Sequence, residues 1–284
     1  MQDLKIFIQL TRLNKPIGFM LLFWPCSWGL AYAYYFDQNL SIFLYHIFLF
    51  FLGSVLMRSA GCIFNDIVDK DFDKLVERTK ERPIASGKIS AKKSLFYVLL
   101  LCGVSFLILI QFNYKTILLG LGSMFLAFSY PFMKRITYWP QLFLGLTFNW
   151  GVIMGCTAIL DQISIGIVLL YIAAIFWTLG YDTIYGLQDI EDDEIIGIKS
   201  TSIKFKGNIK LFVSTCYLIT FLFIIFFLKD NIGLNLSTLS TFMFTLTLLY
   251  QIKIFDKNNS INCHKAFKIN NLSGFFIFLS ILLN

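Results

Sequence analysis

Charged side chains are scarce in this chain. Asp, Glu, Lys and Arg make up only 14% of its 284 residues, against about 25% in soluble globular domains. So few charges cannot cover the surface of a water-soluble protein of this size. The 57% of hydrophobic residues and the mean hydropathy of +0.71 also exclude a disordered or fibrous chain. The composition therefore indicates an integral membrane protein.

Histidine and closely paired cysteine are lacking as well. The two histidines, His46 and His264, lie far apart in the sequence, which argues against a histidine-based metal site. None of the six cysteines forms a Cys-x-x-Cys pair, and we interpret them as small buried hydrophobic residues. Neither a disulfide framework nor a zinc site is expected.

Apolar runs of roughly 20 residues, the length of a helix that spans a bilayer, recur along the whole chain. Most are continuously apolar rather than alternating, which predicts helices and not the strands of a β-barrel. Gly151-x-x-x-Gly155 is typical of a close crossing between two helices. We expect an all-α integral membrane protein with about nine transmembrane helices in one bundle. The predicted spans are 17–36, 41–64, 94–112, 116–133, 138–159, 163–188, 209–228, 232–252 and 267–283.

The charges that are present lie mainly on one side of this predicted bundle. Every lysine and arginine except Lys115, Lys229 and Arg58 falls in the N-terminal segment or around a connection that follows an even-numbered span. By the positive-inside rule, the N-terminus and these connections are cytoplasmic. The net charge of +7 is then topogenic, and no nucleic-acid partner is expected. More than half of the acidic residues lie on the same side, in two clusters at 66–73 and 182–194.

The first acidic cluster follows the second span. On a helix of roughly 3.6 residues per turn, Asn65, Asp69 and Asp73 lie at i, i+4 and i+8, with Asp66 at the edge of the same face. Arg58, two turns earlier, shares that face. Carboxylates this close repel one another unless a cation lies between them. Because Mg²⁺ binds carboxylates together with substrate phosphates, the cluster predicts a Mg²⁺ site.

The second cluster ends the sixth span. Asp182, Asp189 and Asp193 lie at i, i+7 and i+11, which places them on one stripe of an ideal helix. Both clusters end even-numbered spans, so both open on the cytoplasmic side. Two facing acidic stripes are suited to hold Mg²⁺ and clamp a diphosphate between them. The alternative, that these acids are merely solvated loop charges, conflicts with the helical phasing found twice and with the position of Asp182 inside its span.

A diphosphate also needs cationic partners. Candidates for this contact follow the second, fourth and sixth spans, and they are Arg78, Lys134, Arg135 and Lys199. Arg58 differs from them because an arginine inside a membrane span is costly without a partner. We expect it to pair with an acid of the first stripe or with an anionic group of the substrate.

Two motifs resemble those of the UbiA superfamily of intramembrane prenyltransferases. The first signature is matched by Asn65-Asp-x-x-Asp-x-x-x-Asp73, Arg78-Thr79 and Arg82-Pro-x-Ala-Ser-Gly87. The second is matched by Tyr181-Asp-x-x-Tyr185-x-x-x-Asp-x-x-Asp-Asp193 and Gly197-Ile-Lys-Ser-Thr201. The strings that resemble the 4-hydroxybenzoate polyprenyltransferase branch are Lys15-Pro-Ile-Gly18, Trp24-Pro25, Tyr130-Pro-Phe-Met-Lys-Arg135 and Pro140-Gln141.

The resemblance implies a Mg²⁺-dependent transfer of a polyprenyl group from polyprenyl diphosphate to the ring of 4-hydroxybenzoate. The product is 3-polyprenyl-4-hydroxybenzoate, and the reaction is an early step of ubiquinone biosynthesis. The implied catalytic set is Asn65, Asp66, Asp69, Asp73, Asp182, Asp189 and Asp193. The implied Mg²⁺ ligands are Asn65, Asp69, Asp73, Asp189 and Asp193. Arg58, Arg78, Lys134, Arg135, Tyr185, Lys199 and Arg12 would contact substrate, with Arg58 or Arg12 facing the aromatic carboxylate.

The resemblance also bears on organisation and location. Its motifs run from about residue 12 to 201, and we expect residues 1–284 to form a single multi-span domain. We expect that domain in the inner membrane of a bacterial cell, surrounded by lipid, with no obligatory protein partner.

Two alternatives stay open. One is a UbiA-type enzyme with another acceptor, such as dihydroxynaphthoate, haem or a lipid. The other is a cation-coupled transporter, although transporters hold their acidic sites near the bilayer midplane and these acids lie toward one face.

Overall fold

The computed structural model describes residues 2–284, and that part of the chain is all-helical. Met1, the first residue of the expected domain 1–284, lies outside the described residues. The α-helices in chain order are α1 (Gln2–Thr11), α2 (Ile17–Asp37), α3 (Leu40–Val68), α4 (Lys70–Asp73), α5 (Ala91–Leu109), α6 (Tyr114–Ile136), α7 (Pro140–Phe148), α8 (Trp150–Leu160), α9 (Ile165–Gly186), α10 (Ile190–Ile196), α11 (Thr201–Lys204), α12 (Ile209–Phe227), α13 (Leu236–Ile254) and α14 (Ser260–Leu282).

Within residues 2–284, seven segments are long and apolar enough to cross a membrane. They are α2, α3, α5, α6, the pair α7–α8, the run α9–α10 and α12. The last two predicted spans, 232–252 and 267–283, coincide with α13 and α14, which carry more polar residues. The chain is therefore a multi-pass membrane protein. That nine helices cross the bilayer stays a prediction.

The polar residues of α13 and α14 are buried and paired with one another. Gln251 Oε1 accepts hydrogen bonds from the hydroxyl of Tyr217 (2.6 Å) and from Asn270 Nδ2 (3.0 Å). Asn270 Oδ1 accepts a further bond from Trp177 Nε1 at 2.8 Å. Because buried polar groups are costly unless they are paired, this network joins α9, α12, α13 and α14 in one packed unit.

Glycines allow the closest contact in the fold, between α2 and α8. A Cβ atom on Gly29 would lie 2.1 Å from Val152 O, and one on Gly155 would lie 2.3 Å from Cys26 O. Only glycine fits at such a distance, so the prediction of a close crossing from Gly151-x-x-x-Gly155 is confirmed. The fifth predicted span is broken between α7 and α8 at Asn149.

Two hydrophobic cores hold the bundle together. The larger joins α2, α3, α8, α9, α12, α13 and α14, and its most deeply buried side chains include Trp28, Trp177 and Phe244. The smaller joins α1, α3 and α5 around Leu10, Ile63 and Ile84. Between these cores, the ends of α3 and α9 bring the two acidic clusters to the same end of the bundle.

Candidate active site

The first acidic cluster lies where α3 passes into the short helix α4. The backbone N–H of Asp69 donates to Asn65 O, and that of Asp73 donates to Asp69 O, each at 2.8 Å. Helical spacing therefore continues across the junction and places Asn65, Asp69 and Asp73 on one face. Asn65 Nδ2 also donates to Asp69 Oδ2 at 2.9 Å. The carboxylates of Asp66, Asp69 and Asp73 are buried, whereas Asp71 is exposed.

Two arginines neutralise one part of this cluster. Arg12 Nη2 lies 2.6 Å from Asp66 Oδ1. Arg82 Nη1 lies 3.1 Å from the same oxygen and 2.8 Å from Asp73 Oδ2, so it bridges the two acids. From the sequence, Arg82 had no expected role beyond its place in a motif string. That string was the available signal that Arg82 has a role. It does not indicate which residues Arg82 contacts.

Asp69 is paired with a lysine of another helix, α6. Lys134 Nζ lies 2.6 Å from Asp69 Oδ2, while Asp69 Oδ1 is buried and accepts no hydrogen bond from the described residues. Burial raises the pKa of Asp69, and the Lys134 ammonium offsets part of that effect. Arg135 lies 3.7 Å from Oδ1 but donates instead to Val68 O at 2.7 Å and packs over the Phe72 ring. Its side chain caps the end of α3.

The second acidic cluster is divided by a bend. The interpretation of 182–193 as one ideal helix is wrong, because a tight helical turn at Leu187–Asp189 separates α9 from α10. Asp182 lies on α9, Asp189 ends the turn and Asp193 lies on α10. Local hydrogen bonding to Leu187, whose N–H reaches both Ile184 O and Tyr185 O, accompanies this change of pitch. The bend still leaves all three acids facing the same interior space.

Arg78, in the connection that follows the first cluster, binds residues of the second cluster. Its guanidinium donates to both carboxylate oxygens of Asp189 and, at 3.1 Å, to the hydroxyl of Tyr185. Burial disfavours the charge of Arg78, but these partners outweigh burial and raise its pKa. One residue earlier, the N–H of Glu77 donates to Asp192 Oδ2 at 3.1 Å. The connection from α4 to α5 is therefore tied to the end of α9.

Both clusters open into one cavity of about 1350 Å³. Its other end is apolar, and the side chains there include Leu49, Phe50, Leu109, Phe112 and Met154. All the predicted site residues except Arg135 line this cavity. They are Arg12, Arg58, Asn65, Asp66, Asp69, Asp73, Arg78, Lys134, Asp182, Tyr185, Asp189, Asp193 and Lys199.

Lys199 lines the cavity through the connection that follows α10. Its ammonium donates to Ile136 O at 3.2 Å and lies over the ring of Tyr138. The Lys199 backbone N–H also donates to Lys134 O at 2.9 Å. These bonds fix the position of the segment that carries Lys134, which is the partner of Asp69.

Arg58 and Asp182 line the middle of the cavity. Among residues 2–284, neither side chain forms an ion pair, so the expected pairing of Arg58 with the first acidic stripe is not found. Arg58 Nε is buried without a hydrogen-bond partner, and its guanidinium lies 5.3 Å from the centroid of the Phe148 ring. Gly18 leaves the room for it, since a Cβ there would lie 3.0 Å from Arg58 Nε. A half-buried guanidinium whose Nε forms no hydrogen bond with the described residues is suited to an anionic group of a ligand.

The donor set fits a hard divalent cation. In the described part of the chain, no three acidic, histidine or cysteine side chains are grouped closely enough to hold a metal, because arginine and lysine lie between the acids. Every candidate ligand is nevertheless an oxygen donor, as Mg²⁺ prefers. Asp69 Oδ1, which is buried and accepts no hydrogen bond from residues 2–284, is the atom that most needs such a partner.

The fold and the site together define a membrane-embedded, all-helical protein with a cavity that is acidic and basic at one end and apolar at the other. The UbiA prenyltransferase family matches residues 22–279, and the chain belongs to that family.

Relatives of known name cover nearly the whole chain. The mitochondrial 4-hydroxybenzoate polyprenyltransferase of Caenorhabditis elegans is 40% identical over 99% of this chain and 78% of its own length. The 4-hydroxybenzoate octaprenyltransferase of Pseudomonas fluorescens (strain SBW25) is 42% identical over 97% of this chain and 92% of its own.

Solved structures share the fold. The apo structure of a UbiA homologue from Aeropyrum pernix K1 superposes with a TM-score of 0.77 at 24% identity, over 93% of this chain and 96% of that one. A UbiA homologue from Archaeoglobus fulgidus, solved with GPP and Mg²⁺, gives a TM-score of 0.73 at 17% identity, over 98% of this chain and 99% of that one.

Proposed function

We propose that this protein transfers a polyprenyl group from polyprenyl diphosphate to 4-hydroxybenzoate in a Mg²⁺-dependent reaction. The products are 3-polyprenyl-4-hydroxybenzoate and diphosphate, and the step belongs to ubiquinone biosynthesis. The observation that carries the proposal is the cavity itself. Two acidic clusters and their cations lie at one end, and an apolar arm large enough for a prenyl tail leads away from them.

The donor diphosphate is assigned to the acidic end. Bound Mg²⁺, held by Asn65, Asp69, Asp73, Asp189 and Asp193, would supply positive charge that stabilises the leaving diphosphate. Arg78 and Lys134 already lie among these acids, and each has N–H groups left to donate to phosphate oxygens. They position the leaving group and neutralise the charge that grows on it.

The acceptor carboxylate is assigned to Arg58. The sequence left Arg58 and Arg12 as alternatives for this contact. Arg12 is already bound to the buried Asp66, whereas Arg58 forms no ion pair among the described residues. An aromatic carboxylate on Arg58 would supply the bidentate partner that this guanidinium lacks inside the membrane.

The transfer breaks the allylic C–O bond, and its electron pair leaves with the diphosphate. The ring carbon ortho to the hydroxyl of 4-hydroxybenzoate then forms the new C–C bond, and the proton on that carbon is lost. Phe72, Tyr130 and Phe148 line the space between the clusters, where their faces stabilise an allylic cation. The Asp182 carboxylate lies beside this space and forms no ion pair within residues 2–284, and we assign it to the departing proton.

The orientation follows from charge. We propose that the acidic end of the cavity and the N-terminus face the cytoplasm of a bacterial cell, with the chain in its inner membrane. The basic residues around α1, α4, α6 and α11 support this orientation by the positive-inside rule. The whole chain then acts as one multi-span domain.

The test is the transfer of label from 4-hydroxybenzoate into a lipid-extractable product. Membranes that contain the protein are incubated with a polyprenyl diphosphate and Mg²⁺, with and without a chelator. Incorporation that the chelator abolishes would support the proposal. If intact protein gives no incorporation, the same assay with labelled dihydroxynaphthoate, haem and lipid acceptors would test the other UbiA-type reactions. Failure of every acceptor would favour cation transport.

A further inference from the structure

A series of hydrogen bonds between buried polar side chains ends at the wall of the cavity. It begins at Asn149, where the fifth predicted span is broken between α7 and α8. Asn149 Nδ2 donates to Thr178 Oγ1 at 2.7 Å, and Thr178 Oγ1 donates to the hydroxyl of Tyr181 at 3.2 Å. All three side chains are buried, and Tyr181 lines the cavity. The series therefore leads from the helix break to the cavity.

The direction of these hydrogen bonds follows from the chemistry of the groups. Asn149 Nδ2 also contacts the acceptors Gly145 O at 2.8 Å and Ala174 O at 3.1 Å, as a donor nitrogen does. Thr178 Oγ1 accepts from it and gives its single proton to the Tyr181 oxygen. Tyr181 keeps its own proton, which no residue in the described part of the chain accepts. Because buried hydroxyls normally find a partner, this proton is available to a ligand.

Aromatic neighbours hold the ring of Tyr181 in place. Its centroid lies 5.0 Å from that of Trp177 and 5.8 Å from that of Phe267, both in edge-to-face contact. Trp177 is fixed in turn, since its Nε1 donates to Asn270 Oδ1 at 2.8 Å. The hydroxyl cannot leave Thr178 without displacing these side chains. The donor is thus oriented before a ligand binds, which lowers the cost of ordering it on binding.

The Tyr181 hydroxyl lies at about the depth of Arg58. Thr178, which the hydroxyl contacts, precedes Asp189 by 11 residues, and Arg58 precedes Asp69 by 11 residues. Both segments run toward the acidic end of the cavity, and this length of helix rises about 16 Å. Both groups are therefore about halfway across the roughly 30 Å of a bilayer's hydrocarbon core.

Phe148 connects the two groups across the cavity. Its ring lies 5.3 Å from the Arg58 guanidinium, and the next residue, Asn149, starts the hydrogen bonds that end at Tyr181. Arg58, Phe148 and Tyr181 all line the cavity. A guanidinium from α3 and a hydroxyl from α9 thus border one space at one depth. Two such donors suit the two oxygens of a carboxylate, which only accepts hydrogen bonds.

We propose that the hydroxyl of Tyr181 donates a hydrogen bond to the carboxylate of the acceptor, which Arg58 binds from the side of α3. This inference rests on the proposed function, and it adds a second residue that selects an acidic acceptor. With the carboxylate between these two donors, the ring hydroxyl of the acceptor points toward the acidic clusters, where the allylic C–O bond breaks. An acceptor without a carboxylate leaves both donors unpaired and is disfavoured. Thr178 and Asn149 are positioning residues, because they act through the Tyr181 hydroxyl.

The test uses an inhibitor to separate the two ends of the acceptor. Benzoate carries the carboxylate but no ring hydroxyl, and we expect it to compete with 4-hydroxybenzoate. Tyr181→Phe removes one oxygen and keeps the packed ring. In this variant, KM for 4-hydroxybenzoate and Ki for benzoate should rise together by about tenfold or more, the effect of losing a hydrogen bond to a charged group. KM for the prenyl diphosphate should stay unchanged.

Two further variants complete the test. Thr178→Val keeps the branched shape of the side chain and removes the hydrogen bond to Tyr181, so it should raise the same two constants by a smaller factor. It decides the test if Tyr181→Phe does not fold, and unchanged constants would then overturn the proposal. Tyr171→Phe is the matched control. Tyr171 also lies on α9 and donates to Leu146 O at 2.8 Å, but it is not among the described residues that line the cavity. Both constants should keep their wild-type values there.

Three results would overturn the contact. Wild-type values of both constants in Tyr181→Phe would show that the hydroxyl does not bind the acceptor. A higher KM for 4-hydroxybenzoate with an unchanged Ki for benzoate would place the hydroxyl at the other end of the ring. A wild-type protein that benzoate does not inhibit would contradict recognition of the carboxylate. A wild-type protein that transfers no prenyl group to 4-hydroxybenzoate would instead contradict the proposed function, so the two failures are distinguishable.

Discussion

Lys134 and Asp69, near the ends of different transmembrane segments, form an ion pair with 2.6 Å between Nζ and Oδ2. The pair fixes α6 against the end of α3, and the other carboxylate oxygen of Asp69 is buried without a hydrogen bond to any described residue. A cation and a half-satisfied carboxylate side by side form a site that is prepared for both a metal ion and a phosphate.

Loss of one carboxylate from either acidic cluster should abolish turnover. In Asp69→Ala or Asp189→Ala, the loss of an interaction made with the leaving group should lower the rate by at least about 100-fold, the scale measured for single stabilising groups in other enzymes. The protein should stay folded in the membrane. Asp71→Ala is the matched control, because Asp71 is exposed and pairs with Lys74. Near-normal activity in both cluster variants would rule out the metal clamp.

Arg58→Ala should weaken the binding of the acceptor and leave the binding of the donor little changed. Charged hydrogen bonds are worth about 1.5–3 kcal/mol, so we expect KM for 4-hydroxybenzoate to rise about 10- to 100-fold with little change in KM for the diphosphate. Steady-state kinetics with each substrate varied in turn would measure this. Arg58→Lys should recover only part of the loss, since lysine cannot bind a carboxylate bidentately. A rise in the donor KM alone would move the carboxylate contact elsewhere.

Arg82→Ala should destabilise the fold. Arg82 bridges the buried carboxylates of Asp66 and Asp73, and breaking a buried pair typically costs about 3–5 kcal/mol. Thermal unfolding in detergent should show a lower midpoint than that of the wild type. Lys80→Ala provides the comparison, because Lys80 forms a surface pair with Glu77 and should change stability little. Equal midpoints in the two variants would contradict a structural bridge at Arg82.

Gly29→Ala should disrupt the crossing of α2 and α8. The added Cβ would lie 2.1 Å from Val152 O, which is backbone and cannot rotate away. Overpacking of this kind costs about 1–3 kcal/mol or more, and we expect a lower yield of folded protein in size-exclusion chromatography. Gly122→Ala, with open space around the new Cβ, should match the wild type. A normal yield from Gly29→Ala would show that the helices separate easily.

The sequence predicted what depends on composition and on spacing along one helix. Apolar runs placed the helices, and the close crossing at Gly155 followed from a small-residue repeat. The alignment of Asn65, Asp69 and Asp73 was also predictable, because one continuous helical backbone connects them.

Features that depend on long-range packing were not predictable. The turn at Leu187–Asp189 interrupts the ideal helical phasing of the second cluster. It could not be predicted because no proline or glycine pair marks it in the sequence. Arg135 and Lys134 are adjacent and chemically similar, yet only Lys134 lines the cavity, because α6 directs Arg135 toward Val68 O. The bridge formed by Arg82 depends on how the connection between α4 and α5 folds back on α3.

The most direct test of the two-cluster site is the binding of a geranyl diphosphate analogue that cannot ionise, measured by calorimetry with and without Mg²⁺. We expect Mg²⁺-dependent binding to the wild type and to Asp71→Ala, and its loss in Asp69→Ala and in Asp189→Ala alike. Mg²⁺-dependent binding that survives the loss of either cluster would contradict the claim that both hold the metal and the diphosphate.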